Sequence, residues 1–190
     1  MQENTDAGIT TDIDLLIDGA INGDADDFGR LYDLHVERIY RHVYYRVGNT
    51  GDAEDLTQQV FLRAWKAIGR YKKTATPFLA WLMRISHNLV IDFYRSKKDT
   101  AILNDELVVA DKTPGPQQLA EEHFDQQQIR KVILQLPEEQ QQVVLMSFIE
   151  GFSYGEIAAA IGKREGNVRV IVHRALKKMR HILETERLTG

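Results

Sequence analysis

Apolar residues along most of this chain recur every three or four positions, the spacing that lines one face of a helix, and no strictly alternating run stands out as a strand. Over residues 28–47 the set Phe28, Leu31, Leu34, Val36, Ile39, Tyr40, Val43 and Val47 mostly keeps this period. It stops at Gly48-Asn49-Thr50-Gly51, which predicts a break. Asp52 is then placed to cap a second helix carrying Leu56, Val60, Ala64 and Ala67, with Glu54 and Asp55 in a first turn whose dipole favours carboxylates. A third helix is predicted from Thr76 as cap and Pro77 as first helical residue to about Lys98. That helix sorts its side chains: Leu79, Leu82, Ile85, Leu89 and Phe93 share one face, while Arg84, His87, Asn88 and Arg95 take the other. Trp81 and Tyr94 read as core or as stacking platforms, with core the commoner use of an aromatic at helical spacing.

Residues 99–118 lose the period, are acidic and contain Thr113-Pro114-Gly115-Pro116, which predicts a linker. Beyond it, Leu136-Pro137-Glu138-Glu139 reads as a helix start ahead of Val143, Val144, Met146, Phe148 and Ile149. Ser153-Tyr154-Gly155-Glu156 is a capping box opening a helix with Ile157, Ala158 and Ile161, and Gly162 ends it. A last helix runs from near Arg164 to about Glu184, with Val168, Ile171, Val172, Ala175 and Met179 as its inward stripe. A short capped helix, small residues, a glycine turn and a basic helix form the grammar of a helix-turn-helix. The inward stripe leaves Asn167, Arg169, His173 and Arg174 for a DNA groove. A helical hairpin with a basic exposed side would show the same pattern. The expected fold class is all-α: two small helical domains joined by a flexible linker, the second with a helix-turn-helix. The expected boundaries are an acidic segment 1–27, a first domain 28–98, a linker 99–118 and a second domain 119–190.

Composition narrows the chemistry. The chain has 190 residues, 43% hydrophobic, too apolar for a wholly disordered chain. It has no cysteine, and so no disulfide framework, thiol nucleophile or Cys-ligated metal. The histidines, His35, His42, His87, His123, His173 and His181, lack metal-ligand spacing, and there is no Gly-rich phosphate loop. No catalytic residue, metal or cofactor is therefore expected. Without a secretory leader pattern or a long apolar run, a cytoplasmic protein with no membrane insertion is expected.

Charge changes the picture more. The net charge of -4 hides segregation: residues 1–28 carry -8, residues 63–98 carry +8, residues 99–150 carry -7 and residues 151–190 carry +4. Two basic blocks suggest two surfaces that meet a polyanion. The 1–28 segment reads either as a tail or as a short amphipathic helix through Ile13, Leu15, Leu16, Ile17, Ala20 and Ile21.

Four pieces of this chain, in order and at matching spacing over about residues 28–185, resemble the extracytoplasmic-function sigma factors of bacterial RNA polymerase, within the sigma-70 family. They are Asp52-Ala53-Glu54-Asp55-Leu56-Thr57-Gln58-Gln59-Val60-Phe61; Ala80-Trp81-Leu82-Met83-Arg84-Ile85 with Asn88 and Asp92; Leu136-Pro137-Glu138-Glu139-Gln140; and Gly151-Phe152-Ser153-Tyr154-Gly155-Glu156-Ile157-Ala158. The resemblance implies a factor that binds core polymerase, recognises -35 and -10 promoter elements and promotes melting, and that is not an enzyme. It implies contacts of Asp52, Glu54, Asp55, Gln58 and Gln59 with the clamp helices of the largest polymerase subunit, the flap of the second-largest subunit as a further contact, and an anti-sigma factor as partner. Gln59 departs from the carboxylate usual at its position. For the -10 element it implies Tyr71, Lys72, Lys73, Arg84, His87, Asn88, Asp92 and Arg95, the loop from Tyr71 to Thr76 matching where the family pockets a flipped base. For the -35 element it implies Lys163, Arg164, Asn167, Arg169, His173, Arg174 and Lys177, although Arg169-Val170-Ile171-Val172 offers fewer long polar side chains than relatives do. The competing reading is a conventional helix-turn-helix regulator that binds duplex DNA without polymerase; it leaves the first domain unexplained.

Overall fold

The computed structural model describes the backbone of residues 3–73, 76–104 and 120–189, and the side chains of 12–73, 76–97 and 127–185. Its organising element is the second helix. Asp24 starts it by accepting from the amides of Asp26 and Asp27 at 2.9 and 3.0 Å, and Gly48 ends it at φ +69° with its N–H on the Tyr44 carbonyl. Between those caps runs α2 (Ala25–Val47), preceded by α1 (Glu3–Ile21), which buries Ile17 and Ala20. The acidic N-terminal segment thus divides between two helices: Asp12, Asp14 and Asp18 lie on the part of α1 that packs through Ile17 and Ala20, and Asp24, Asp26 and Asp27 open α2. Asn49, and not the expected Asp52, caps α3 (Thr50–Ala67): its side-chain oxygen accepts from the Asp52 amide at 2.8 Å. After a 3₁₀ turn at Ile68–Arg70 comes α4 (Phe78–Asn104). It begins after Pro77, whose carbonyl accepts from the Trp81 amide, and continues past the expected end at Lys98, since nothing in 99–104 breaks a helix. The rest of the expected linker, 105–118, lies outside the described residues.

Beyond it lie α5 (Ala120–Leu134), α6 (Glu138–Val144), α7 (Tyr154–Ile161) and α8 (Glu165–Thr189); no strand occurs among the described residues. The α7 capping box is as expected. Ser153 Oγ accepts from the Glu156 amide at 3.3 Å, the Glu156 carboxylate accepts from the Ser153 amide at 2.8 Å, and Gly162 closes the helix at φ +70°. The end of α6 was not foreseen. It widens into a π turn over Leu145–Ile149, so the apolar period slips, Phe148 is left 54% exposed and Glu150 turns inward.

The buried residues form two clusters. The larger runs from Ile17 and Leu31 through Leu56, Val60, Leu82 and Leu89 to Met146, Ile157, Val168 and Val172, and so unites both halves of the chain. The smaller joins Ile133, Leu136, Val144, Leu145 and Ala175, with Tyr45 of α2 packed against it. α2 therefore carries two stripes. Leu31, His35, Ile39, His42, Val43 and Arg46 are buried in the first half. Arg38, Arg41, Tyr45 and Gly48 instead meet the second half. Arg38 Nε donates to Glu150 Oε2 at 2.9 Å and its Nη2 to the Glu150 carbonyl at 2.7 Å; Arg41 adds two bonds of 3.3 Å; and Arg130 lies where a side chain on Gly48 would project. The Glu150 side chain is 0% exposed, a buried carboxylate held by two guanidiniums.

Candidate nucleic-acid and partner interfaces

Three exposed helix faces collect the residues singled out in the sequence. On α3, Glu54, Asp55, Gln58 and Gln59 are exposed, while Asp52 turns back to Lys97 of α4 at 2.9 Å. Leu62, passed over in the sequence, follows Asp55 and Gln58 at helical spacing and is 54% exposed. An acidic and amide-bearing face with one bare leucine at its C-terminal end suits a protein partner better than a polyanion.

On α4, Arg84, Asn88 and Arg95 fall at i, i+4 and i+11 and are all exposed, so one face offers two cations and one amide able to donate and accept. His87 does not join them. It is half-buried, its Nδ1 lies 2.8 Å from Arg46 Nη1, and burial first, then that guanidinium, lower its pKa to about 4. Asp92 is exposed 3.6 Å from Arg63. Trp81 is half-buried at the edge of the same face, its ring centroid 5.0 Å from Tyr71 and 5.4 Å from Phe78, which ties it to the core while leaving an aromatic flank. The Tyr71 hydroxyl donates to the Thr76 carbonyl at 3.2 Å. Lys72 is free of ion pairs among the described residues, whereas Lys73 Nζ lies 2.7 Å from both Asp18 Oδ2 and the Asp14 carbonyl. Thr74 and Ala75 lie outside the described residues.

On α8, Val168, Ile171, Val172 and Ala175 are buried and Asn167, His173, Arg174 and Lys177 are exposed, as is Arg164 just ahead of the helix. Lys163 pairs with Glu139 at 2.7 Å, and Arg169 Nη2 with Glu165 Oε1 at 2.7 Å while lying over the Tyr154 ring. Among the described residues no helix is long and apolar enough to cross a membrane, and no group of His, Asp and Glu could hold a metal ion.

The family model Sigma-70 region 2 matches residues 31–100, and the model Sigma-70, region 4 matches residues 126–179. The ECF RNA polymerase sigma factor SigW of Bacillus subtilis is 30% identical over 83% of this chain and 89% of its own length. The ECF RNA polymerase sigma factor BldN of Streptomyces coelicolor is 35% identical over 88% of this chain; the chain spans 64% of that relative's length. In fold, the sigma factor RpoE from Bartonella quintana, solved in complex with the anti-sigma factor NepR, matches at TM-score 0.70 and 22% identity over 84% of this chain and 98% of that one.

Proposed function

The chain belongs to the sigma-70 family, among its extracytoplasmic-function members, and we propose that it joins bacterial core polymerase and directs it to promoters. The observation that supports this reading is the presence, on one chain, of two exposed cationic helix faces, on α4 and α8, beside an exposed acidic and amide face on α3. In this reading residues 28–98 hold polymerase and the unpaired -10 strand, and residues 119–190 hold the duplex -35 element. Asp52, Glu54, Asp55, Gln58 and Gln59, with Leu62 added, meet the clamp helices. Arg84 and Arg95 guide phosphates and Asn88 meets a base edge, with Tyr71 and Lys72 at the loop; Lys73 serves once released from Asp18. His87 acts through Arg46, supporting the face and not touching DNA. An anti-sigma factor is a further partner, the protein works in the cytoplasm, and it catalyses no reaction itself.

The deciding experiment is transcription in vitro by core polymerase with and without the chain, with the transcripts sequenced. New start sites that share two spaced upstream motifs are expected; start sites unchanged by the chain would leave the regulator reading. Two substitutions divide the surface. Asp55→Lys should weaken core association with the helical circular-dichroism signal kept. Asn88→Ala should lose open complexes and binding to the single-stranded non-template -10 oligonucleotide. Unchanged binding in either case removes that residue from its face.

A further inference from the structure

Helical geometry singles out a residue on α8 that a search for polar side chains passes over. At about 100° per residue, the buried Val168, Ile171, Val172 and Ala175 define the inward direction, and the opposite pole falls on Gly166, Val170, His173 and Lys177. Asn167, Arg169 and Arg174 flank that pole. Val170 is 47% exposed there. An exposed β-branched residue is a poor helix former, so local stability gives no reason for it.

Its surroundings give one. One turn earlier, Gly166 leaves open space: a Cβ added there would meet nothing within 4 Å. The helix surface beside Val170 is therefore backbone, and a ligand can approach it closely. Cations lie close by: Lys177 shares the outward pole with Val170 and Arg174 flanks it, both exposed. Arg169, the nearest long polar side chain, is already bound to Glu165 and laid over Tyr154. One apolar side chain set among cations fits a polyanion whose recessed face offers one apolar group. In the major groove of duplex DNA that group is the 5-methyl of thymine, with phosphates on either side for the cations.

We propose that Val170 reads a thymine in the duplex promoter element by packing on its 5-methyl group, with Gly166 admitting the base edge. This rests on the assignment of α8 to the major groove and supplies it with a specificity residue.

The test uses the full chain assembled with core polymerase. Duplexes are enriched from a randomised pool, and each thymine of the enriched element is then replaced in turn by uracil, which removes the methyl group alone. Affinity is read by fluorescence anisotropy. The parent should lose about fourfold at one thymine, the weight of one buried methyl. Val170→Ala should bind thymine and uracil equally there while keeping its sensitivity at the other positions. Its melting temperature should match the parent's, since the site is exposed and alanine favours the helix. Indifference of the parent to uracil at every position overturns the proposal but leaves α8 in the groove. So does a Val170→Ala chain that still discriminates, or one that weakens core association and not the thymine preference, which would mark the patch as a protein contact. A pool that yields no enriched element overturns the promoter-binding reading itself.

Discussion

Acidification from pH 7.5 to pH 5 is expected to destabilise the first half of the molecule steeply, with His42 as the main cause. His42 is 0% exposed, and neither ring nitrogen has a hydrogen-bond partner among the described residues. Burial first, then the charges of Arg46 and His87, lower its pKa to about 3. His35 is lowered to about 4 by burial and then by Arg38. In the unfolded chain each returns to about 6.5. Above that pH both states are neutral, and these residues add no pH dependence. Between about 6.5 and 4 the unfolded chain takes up protons that the folded chain refuses, so stability falls as pH falls. For His42 this amounts to about 1.4 kcal/mol per pH unit, or about 2 kcal/mol by pH 5. His35 adds in the same direction, and the half-buried His87 adds less. His42→Leu, close in volume, should gain about 1–3 kcal/mol at pH 7 because a buried unpartnered polar group disappears, and should flatten the acid slope. Urea titrations at several pH values give both quantities. A parent equally stable at pH 7.5 and pH 5 contradicts the argument, as does a variant that keeps the full slope.

The second large effect lies where the halves meet. Replacing Arg38 and Arg41 together by Met leaves Glu150 a dry carboxylate stripped of both guanidiniums, a loss of the kind that costs about 3–5 kcal/mol. The reverse change is milder. Glu150→Gln keeps an acceptor, and the two arginines, 38% and 42% exposed, are already partly in water. Glu150 lies between the two halves, so their separation would return it to water, an outcome closed to a carboxylate inside one half. The double variant should therefore come apart at the interface before either half unfolds. Small-angle scattering should show a larger radius of gyration at unchanged helical content, with Glu150→Gln close to the parent. A double variant as compact as the parent would show that the ion pairs do not hold the halves together.

What was legible in the sequence was local. The capping box at Ser153 and Glu156, the closing glycines 48 and 162 and the inward stripe of α8 are each specified within four residues, where backbone sterics and period decide. The exposure of Arg84, Asn88 and Arg95 on one face of α4 followed from the same arithmetic. Misreadings arose where two local answers competed or where the partner was distant. Asn49 and Asp52 both suit a cap, and only the entry of the chain from Gly48 puts Asn49 in the extended conformation that a cap needs. The π turn slips the apolar period by a residue, which no window anchored on α6 reveals. Arg38 meets Glu150 across a separation of 112 residues, and His87 meets Arg46 across 41, so neither pairing leaves a mark on neighbouring sequence.

The stripe of Arg38, Arg41, Tyr45 and Gly48 joins two parts of one chain, and its strength is set against a tether. A group held on a short tether faces its site at an effective concentration in the millimolar range. A contact worth only about 4 kcal/mol between separate molecules, a dissociation constant near 1 mM, is then occupied for a large part of the time within the chain. Each further 1.4 kcal/mol moves that occupancy ratio about tenfold. The shared apolar cluster also spans the two halves, so the stripe adds to that contact, and truncating Tyr45 is expected to lower the ratio of docked to undocked chain before it lowers the melting of either half.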